Sequence, residues 1–202
     1  MLGGVGAAAG LSVIGPDVAR AASGDKAEPK VEDGKTLERL LYNERLLIYG
    51  YEHALGTEFL KHDARELALR QLAHEEAHVA RLKAHLSALN LPTTTVQGPK
   101  RKQPLLFPPQ AVTDLFNAAQ HEHDALQVVV QIESVAESGY FVAAANFHDP
   151  QLVRLAAEIL ACEAQHWTML VDLLHRGDAT QAVPHPTVRG SMHIGTPHTT
   201  PH

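Results

Sequence analysis

His74-Glu75-Glu76-Ala77-His78-Val79-Ala80-Arg81-Leu82 and Cys162-Glu163-Ala164-Gln165-His166-Trp167-Thr168-Met169-Leu170 share one skeleton, Glu-x2-His-x3-Leu, at an offset of 88 residues. A second pattern repeats beside it: Glu44-x5-Gly50-Tyr51 returns as Glu133-x5-Gly139-Tyr140, at an offset of 89. Residues three apart in a helix lie on one side, so each Glu-x-x-His aims both side chains the same way. A lone pair of this kind carries little information. Two of them, each following a further glutamate by 31 or 30 residues, are a specific signal.

Proline placement shows that these patterns sit on long helices. No proline occurs between Val31 and Leu91, between Gln110 and Asp149, or between Gln151 and Val183. Proline costs ~3 kcal/mol in a helix interior, so each gap permits a long helix, and each carries apolar residues at helical spacing. The sequence predicts a first helix from Thr36 to Lys61, a second from Ala64 to Leu89, a third from Ala111 to Asn146 and a fourth from Pro150 to Gly177. Asp63-Ala64-Arg65-Glu66 reads as a capping-box start for the second. Asp149 reads as the N-cap of the fourth, with Pro150 at its first position. Tight turns at His62 and His148 make two antiparallel hairpins. Between them lies a stretch from Asn90 to Pro109 that contains Pro92, Pro99, Pro104, Pro108 and the basic run Lys100-Arg101-Lys102, read as a solvated loop face. A second helix of roughly 39 Å is shorter than the reach of twenty extended residues, so this loop can run the length of a bundle. The expected fold class is all-α: a four-helix bundle of two hairpins joined by one long crossover.

Charge interrupts the apolar stripes. Leu37, Leu41, Ile48, Tyr51 and Leu55 share their seam with Glu44; Ala68, Leu72, Val79 and Leu82 share theirs with Glu75 and His78. Phe116, Ala119, His123, Leu126, Val130 and Tyr140 line up with Glu133, and Leu152, Ile159 and Leu170 with Glu163 and His166. A buried, unpaired carboxylate costs several kcal/mol, so four in one core demand compensation. Two divalent cations held by Glu44, Glu75, His78, Glu133, Glu163 and His166 would provide it. The other reading is a metal-free network of Glu–His and Glu–Tyr hydrogen bonds. Stripe geometry alone does not choose between Glu44 and Glu52; the repeat favours Glu44. Glu137 is expected to pair at the surface or to support a ligand. Tyr51 and Tyr140 read as packing residues whose hydroxyls reach a carboxylate, and Gly50 and Gly139 as points of close helix approach. His74, His121 and His123 read as satisfied or surface histidines, and Cys162 as a small buried hydrophobe.

With these residues, the chain resembles the ferritin-like di-iron carboxylate superfamily, and most closely the exported bacterial ferritin-like domain proteins, whose first helix often reads like Tyr49-Gly50-Tyr51-Glu52. The resemblance covers roughly residues 36 to 175. It implies Glu44 and Glu133 as terminal ligands, Glu75 and Glu163 as bridges, and His78 and His166 as the ligands that complete two sites. It also implies two iron ions per chain and iron oxidation with oxygen or peroxide. A carboxylate–imidazole set without thiolate suits Fe or Mn. The rubredoxin-type cysteines of rubrerythrins and the fifth helix of cage-forming ferritins are not matched. The function expected is therefore a di-metal, di-iron protein reacting with oxygen or peroxide. The alternative is a metal-free exported bundle of structural or stress-related role. A zinc hydrolase is disfavoured because no third-histidine pattern follows the E-x-x-H pairs.

The ends read differently from the middle. Residues 1–30 form a short apolar run followed by Gly15-Pro16 and Ala19-Arg20-Ala21, the plan of a signal peptide without its basic start. Export is expected, with a twin-arginine stretch lost upstream. Residues 177–202 carry Gly, Pro, Thr and His185, His193, His198 and His202 without period, and read as a disordered tail. That leaves 31–176 as the folded domain. The 202 residues are 45% apolar with a formal charge of -6 and one cysteine. This balance disfavours a nucleic-acid partner and excludes an internal disulfide and any four-cysteine metal site. No apolar run reaches the ~20 residues of a membrane span. A homodimer stays open as the assembly.

Overall fold

A computed structural model describes residues 28–91, 109–183 and 190. The expected leader, the crossover between the hairpins and most of the His-containing tail lie outside the described residues. Among the described residues there are six helices: α1 (Pro29–Gly56), α2 (His62–Ala88), α3 (Pro109–Ala118), α4 (Glu122–Asn146), α5 (Pro150–Leu174) and α6 (Ala179–Ala182). Among the described residues there is no strand. The fold is a ferritin-like helical bundle in which α1–α2 and α4–α5 are antiparallel hairpins and α1 packs on α4.

Local chemistry explains where the helices depart from expectation. The first begins at Pro29 rather than Thr36, because proline at the opening position is pre-set for the helix. It stops at Gly56 rather than Lys61: Thr57 turns extended and its Oγ1 donates to the Ala54 carbonyl at 2.7 Å. Phe59 and Leu60 then pack into the core from the turn. The capping box expected at Asp63 does not form; Lys61 is the N-cap and Asp63 falls in the first turn. The helix expected over 111–146 is broken into α3 and α4. His121 is extended, and the Asp124 carboxylate accepts from the backbone N–H groups of Gln120 and His121 at 2.9 and 3.1 Å. That local bonding starts a new helix. Asp149 caps α5 as expected, accepting from the Gln151 N–H at 2.8 Å. α5 ends at Leu174, and Arg176 and Gly177 follow with φ of 54° and 84°. One helical turn, α6, lies within the stretch expected to be irregular; Asp178 caps it and Ala182 is buried.

Asp33, almost wholly buried on α1, ties the two hairpins together. Its carboxylate accepts from the backbone N–H groups of His148 and Asp149 at 2.9 and 3.0 Å, and lies 3.1 Å from His148 Nδ1. The turn between α4 and α5 is therefore held from the other hairpin.

The core consists of two apolar clusters. One contains Leu46, Leu47, Phe116, Leu126, Val129, Ile132 and Leu170. The other contains Leu37, Leu40, Leu41, Val79, Leu82, Leu152 and Ile159. Gly50 and Gly139 let α1 and α4 close on each other: a Cβ at Gly50 would stand 2.7 Å from Ile132 Cδ1, and one at Gly139 2.6 Å from Asn43 Nδ2. By contrast, α2 and α5 approach each other at few points. Among the described residues only α4 is long and apolar enough to cross a membrane, and 61% of its apolar window is buried inside the bundle. It also carries Glu133 and Glu137 into the interior, as the central helix of a bundle with a polar middle would.

Candidate metal centre

Each of the four long helices delivers its repeated residues to one place. Glu44 comes from α1, Glu75 and His78 from α2, Glu133 from α4, and Glu163 and His166 from α5. All four glutamates are fully buried, and His78 and His166 are 7% and 2% exposed. Glu52, the rival to Glu44, lies on the exposed side of α1. Glu44 is thus buried with the group, and Glu52 is not.

The six residues form two overlapping groups. Glu44, Glu75, His78 and Glu163 make one; Glu75, Glu133, Glu163 and His166 make the other. Within each group, one ligand atom per residue lies within 4.8 Å of all the others. His78 Nδ1 stands 3.4 Å from Glu44 Oε2, 3.2 Å from Glu75 Oε2 and 3.0 Å from Glu163 Oε1. His166 Nδ1 stands 2.9 Å from Glu75 Oε1, 3.5 Å from Glu133 Oε1 and 3.6 Å from Glu163 Oε2. Glu75 and Glu163 thus turn one oxygen toward each histidine. Glu44 and Glu133 serve one side each.

Several of these atoms have no hydrogen-bond partner. Glu44 Oε2, Glu75 Oε1, Glu133 Oε2, both oxygens of Glu163 and His166 Nδ1 are buried and unsatisfied. Buried polar atoms in a folded protein almost always find a partner, so a cluster of orphans converging on two points fits cations between them. Hard carboxylate oxygens with one imidazole per position suit Fe(II) or Mn(II). Without cations the electrostatics are poor. Burial pushes the Glu44 and Glu133 carboxyls well above the usual range, and the nearby charges of Glu163 and Glu75 push them further. Burial also raises Glu163, but contacts with His166 and His78 outweigh it and hold this carboxyl at about 2. Burial disfavours the His78 and His166 cations, yet the surrounding Cys162 and glutamate contacts raise both above the ordinary imidazole value.

Two tyrosines hold the outer glutamates. Tyr140 on α4 donates its hydroxyl to Glu44 Oε1, and Tyr51 on α1 donates to Glu133 Oε1. Both phenols are raised far above their usual value, first by burial and then by the carboxylates they face, so they keep their protons and act as donors. The two bonds run between the hairpins and mirror each other, as the sequence repeat requires. Gln71 adds an unrepeated support: its Oε1 lies 2.9 Å from the Tyr51 hydroxyl and its Nε2 donates to the His166 carbonyl at 3.2 Å.

Four residues take places that the sequence did not give them. Gln71, one turn before Glu75, is buried, which its position on the same seam could have signalled. Glu137 does not pair at the surface. It is buried on α4 with Oε1 unpartnered, and burial together with the Glu163 charge lifts its carboxyl to about 7. Cys162 is only half-buried. It contacts His166, and hydrogen bonds with His166 and His78 bring its thiol down to about 7. His74 contacts His166 through Nδ1. His121 and His123 are exposed, His121 as the N-cap of α4, and neither reaches the centre.

The model of the ferritin-like domain family matches residues 32–176, which takes in every helix that carries a residue of the centre. Comparisons with curated proteins and with solved structures return no match.

Proposed function

The chain belongs to the ferritin-like domain family, and on that footing we propose that its buried carboxylate–histidine centre holds two iron ions that react with oxygen or peroxide. The observation that carries the reading is the sharing of Glu75 and Glu163 between two four-residue groups, with Glu44 and Glu133 at the ends. When bound, the metal pair supplies the electrons that reduce oxygen or peroxide.

The chain's own residues do the rest. Glu75 and Glu163 would hold both ions, since each turns one oxygen toward His78 and the other toward His166. The four carboxylates match the charge of two divalent ions. His78 and His166 offer Nδ1 inward, one to each position. Tyr51 and Tyr140 fix the orientation of Glu133 and Glu44 and keep a proton beside each. The flanking apolar clusters exclude water, which strengthens the attraction between ligands and cations in the dry interior.

Anaerobic titration with Fe(II) tests the proposal, followed by air with oxygen consumption and loss of ferrous iron measured together. Uptake near two ions per chain, with oxygen consumed as the iron is oxidised, is expected. Glu75→Ala and Glu163→Ala should each abolish uptake while leaving far-UV helicity largely intact. No uptake by the unaltered chain would instead favour a metal-free bundle. Export of the chain, with residues 1–30 as leader and 177–202 as an appended tail, is part of the same proposal. Fractionation of cells expressing the full chain tests it.

A further inference from the structure

The two ring nitrogens of His166 face different surroundings. Nδ1 looks into the carboxylate layer, with Glu75 Oε1 nearest at 2.9 Å. Nε2 looks the other way, with His74 Nδ1 at 2.9 Å and Cys162 Sγ at 3.4 Å. Cys162 Sγ and His74 Nδ1 are 3.9 Å apart, so three metal-ligating atoms close a triangle that shares the His166 ring with the six-residue centre. The His74 and His166 rings are near-parallel at 18° with centroids 5.2 Å apart, the separation left by an edge-to-edge N···N approach rather than a face-to-face stack. His74 is exposed, Cys162 half-buried and His166 buried, so the triangle leads from the surface to the centre.

The repeat explains why these atoms meet. His74 precedes His78 by four residues and Cys162 precedes His166 by four, so they occupy equivalent places in the two halves. Where α2 and α5 stand apart, these two side chains fill the gap. A tetrahedral ion with nitrogen bonds of ~2.0–2.1 Å and a sulfur bond of ~2.3 Å spaces its ligand atoms ~3.3–3.6 Å apart. The three observed separations straddle that range and need only small side-chain shifts.

We propose that His74 Nδ1, Cys162 Sγ and His166 Nε2 form an outer site for one borderline-soft divalent cation, Zn(II) or Co(II), distinct from the two carboxylate positions. The Cys162 thiol loses its proton to solvent when the ion binds. Neutral imidazole has one free lone pair, so an ion on Nε2 leaves the ring proton on Nδ1, facing Glu75 Oε1. If the inner pair binds as proposed above, the outer ion and the inner ion next to His166 compete for one ring. The outer site and that inner position are then alternatives, not simultaneous positions.

The test is a Co(II) titration of the full chain, read by the near-ultraviolet thiolate-to-cobalt charge-transfer band. Glu75→Gln/Glu163→Gln removes inner competition with isosteric side chains, and circular dichroism checks that the helices persist. In that variant the band should saturate at one cobalt per chain. Adding Cys162→Ser should abolish it, and adding the surface substitution His74→Ala should weaken binding by ~10-fold or more. No band in the carboxylate variant would overturn the proposal, and so would a band indifferent to His74→Ala. Failure of the inner centre is distinguishable: the unaltered chain would take up no Fe(II) while the thiolate band persisted.

Discussion

Metal should change the thermal stability of this protein by an amount that its centre makes predictable. The six ligand residues are scattered from Glu44 to His166 and are essentially buried, so the unfolded chain offers no assembled site. An ion that binds only the native state stabilises it by ~2.7 kcal/mol at a free concentration ~100 times its Kd, and two equivalent positions give ~5 kcal/mol. For a chain of this size, ~2–4 °C per kcal/mol makes that a rise of ~10–20 °C in Tm. The assay is a chelator-stripped melt compared with one in Mn(II), followed by circular dichroism; Mn(II) avoids oxidation during heating. Glu75→Gln/Glu163→Gln supplies the control. Its Mn(II)-induced rise should disappear. A rise of less than ~2 °C in the unaltered protein would refute the reasoning. An equal rise in the variant would do so as well, since the ion would then be bound elsewhere.

Other consequences can be checked in the same preparations. Tyr140→Phe removes the hydroxyl on Glu44 Oε1 and should weaken Mn(II) binding by ~10–100-fold at unchanged stoichiometry, measured by calorimetry. Asp33→Ala strands two backbone N–H groups of the α4–α5 turn and should cost ~2–4 kcal/mol in urea melts without altering metal stoichiometry. The metal-free protein should lose stability as pH rises from about 4.5 to about 7: Glu137 stays protonated in the fold up to about 7 while the unfolded carboxyl has already ionised, so the folded state holds more protons across that window. Glu137→Gln should flatten that slope in pH-dependent urea melts. Saturating Mn(II) should work against it, because ligand carboxyls must ionise to bind.

The helices and the centre were legible in the sequence for the same reason. Long proline-free stretches with charges at seam positions read both as bundle helices and as a polar layer, and the repeat picked out which charges belong to it. Glu44 over Glu52 followed from the repeat alone, and full burial of one with exposure of the other agrees. What was not legible is local or short-ranged. The break at residues 119–121 depends on one carboxylate, Asp124, competing for two backbone N–H groups, and no apolar period reports that. The early stop at Gly56 depends on a single hydroxyl, Thr57. Cys162 and His74 looked like bystanders because a small buried hydrophobe and a satisfied or surface histidine near a seam are the ordinary readings of such residues. Their significance appears only when α2 and α5 are set opposite each other.

The crossed tyrosine bonds carry a consequence for how such a molecule can be put together. A half-length chain holding only α1 and α2 would contain a glutamate without its phenol and a phenol without its glutamate. Two copies of that half, docked about a twofold axis, would satisfy each other completely. The full chain is in effect that duplex on a tether, and the tether frees the halves to differ wherever symmetry is not needed. Gln71 where the other half has Ile159, and His74 where it has Cys162, are where that freedom has been used.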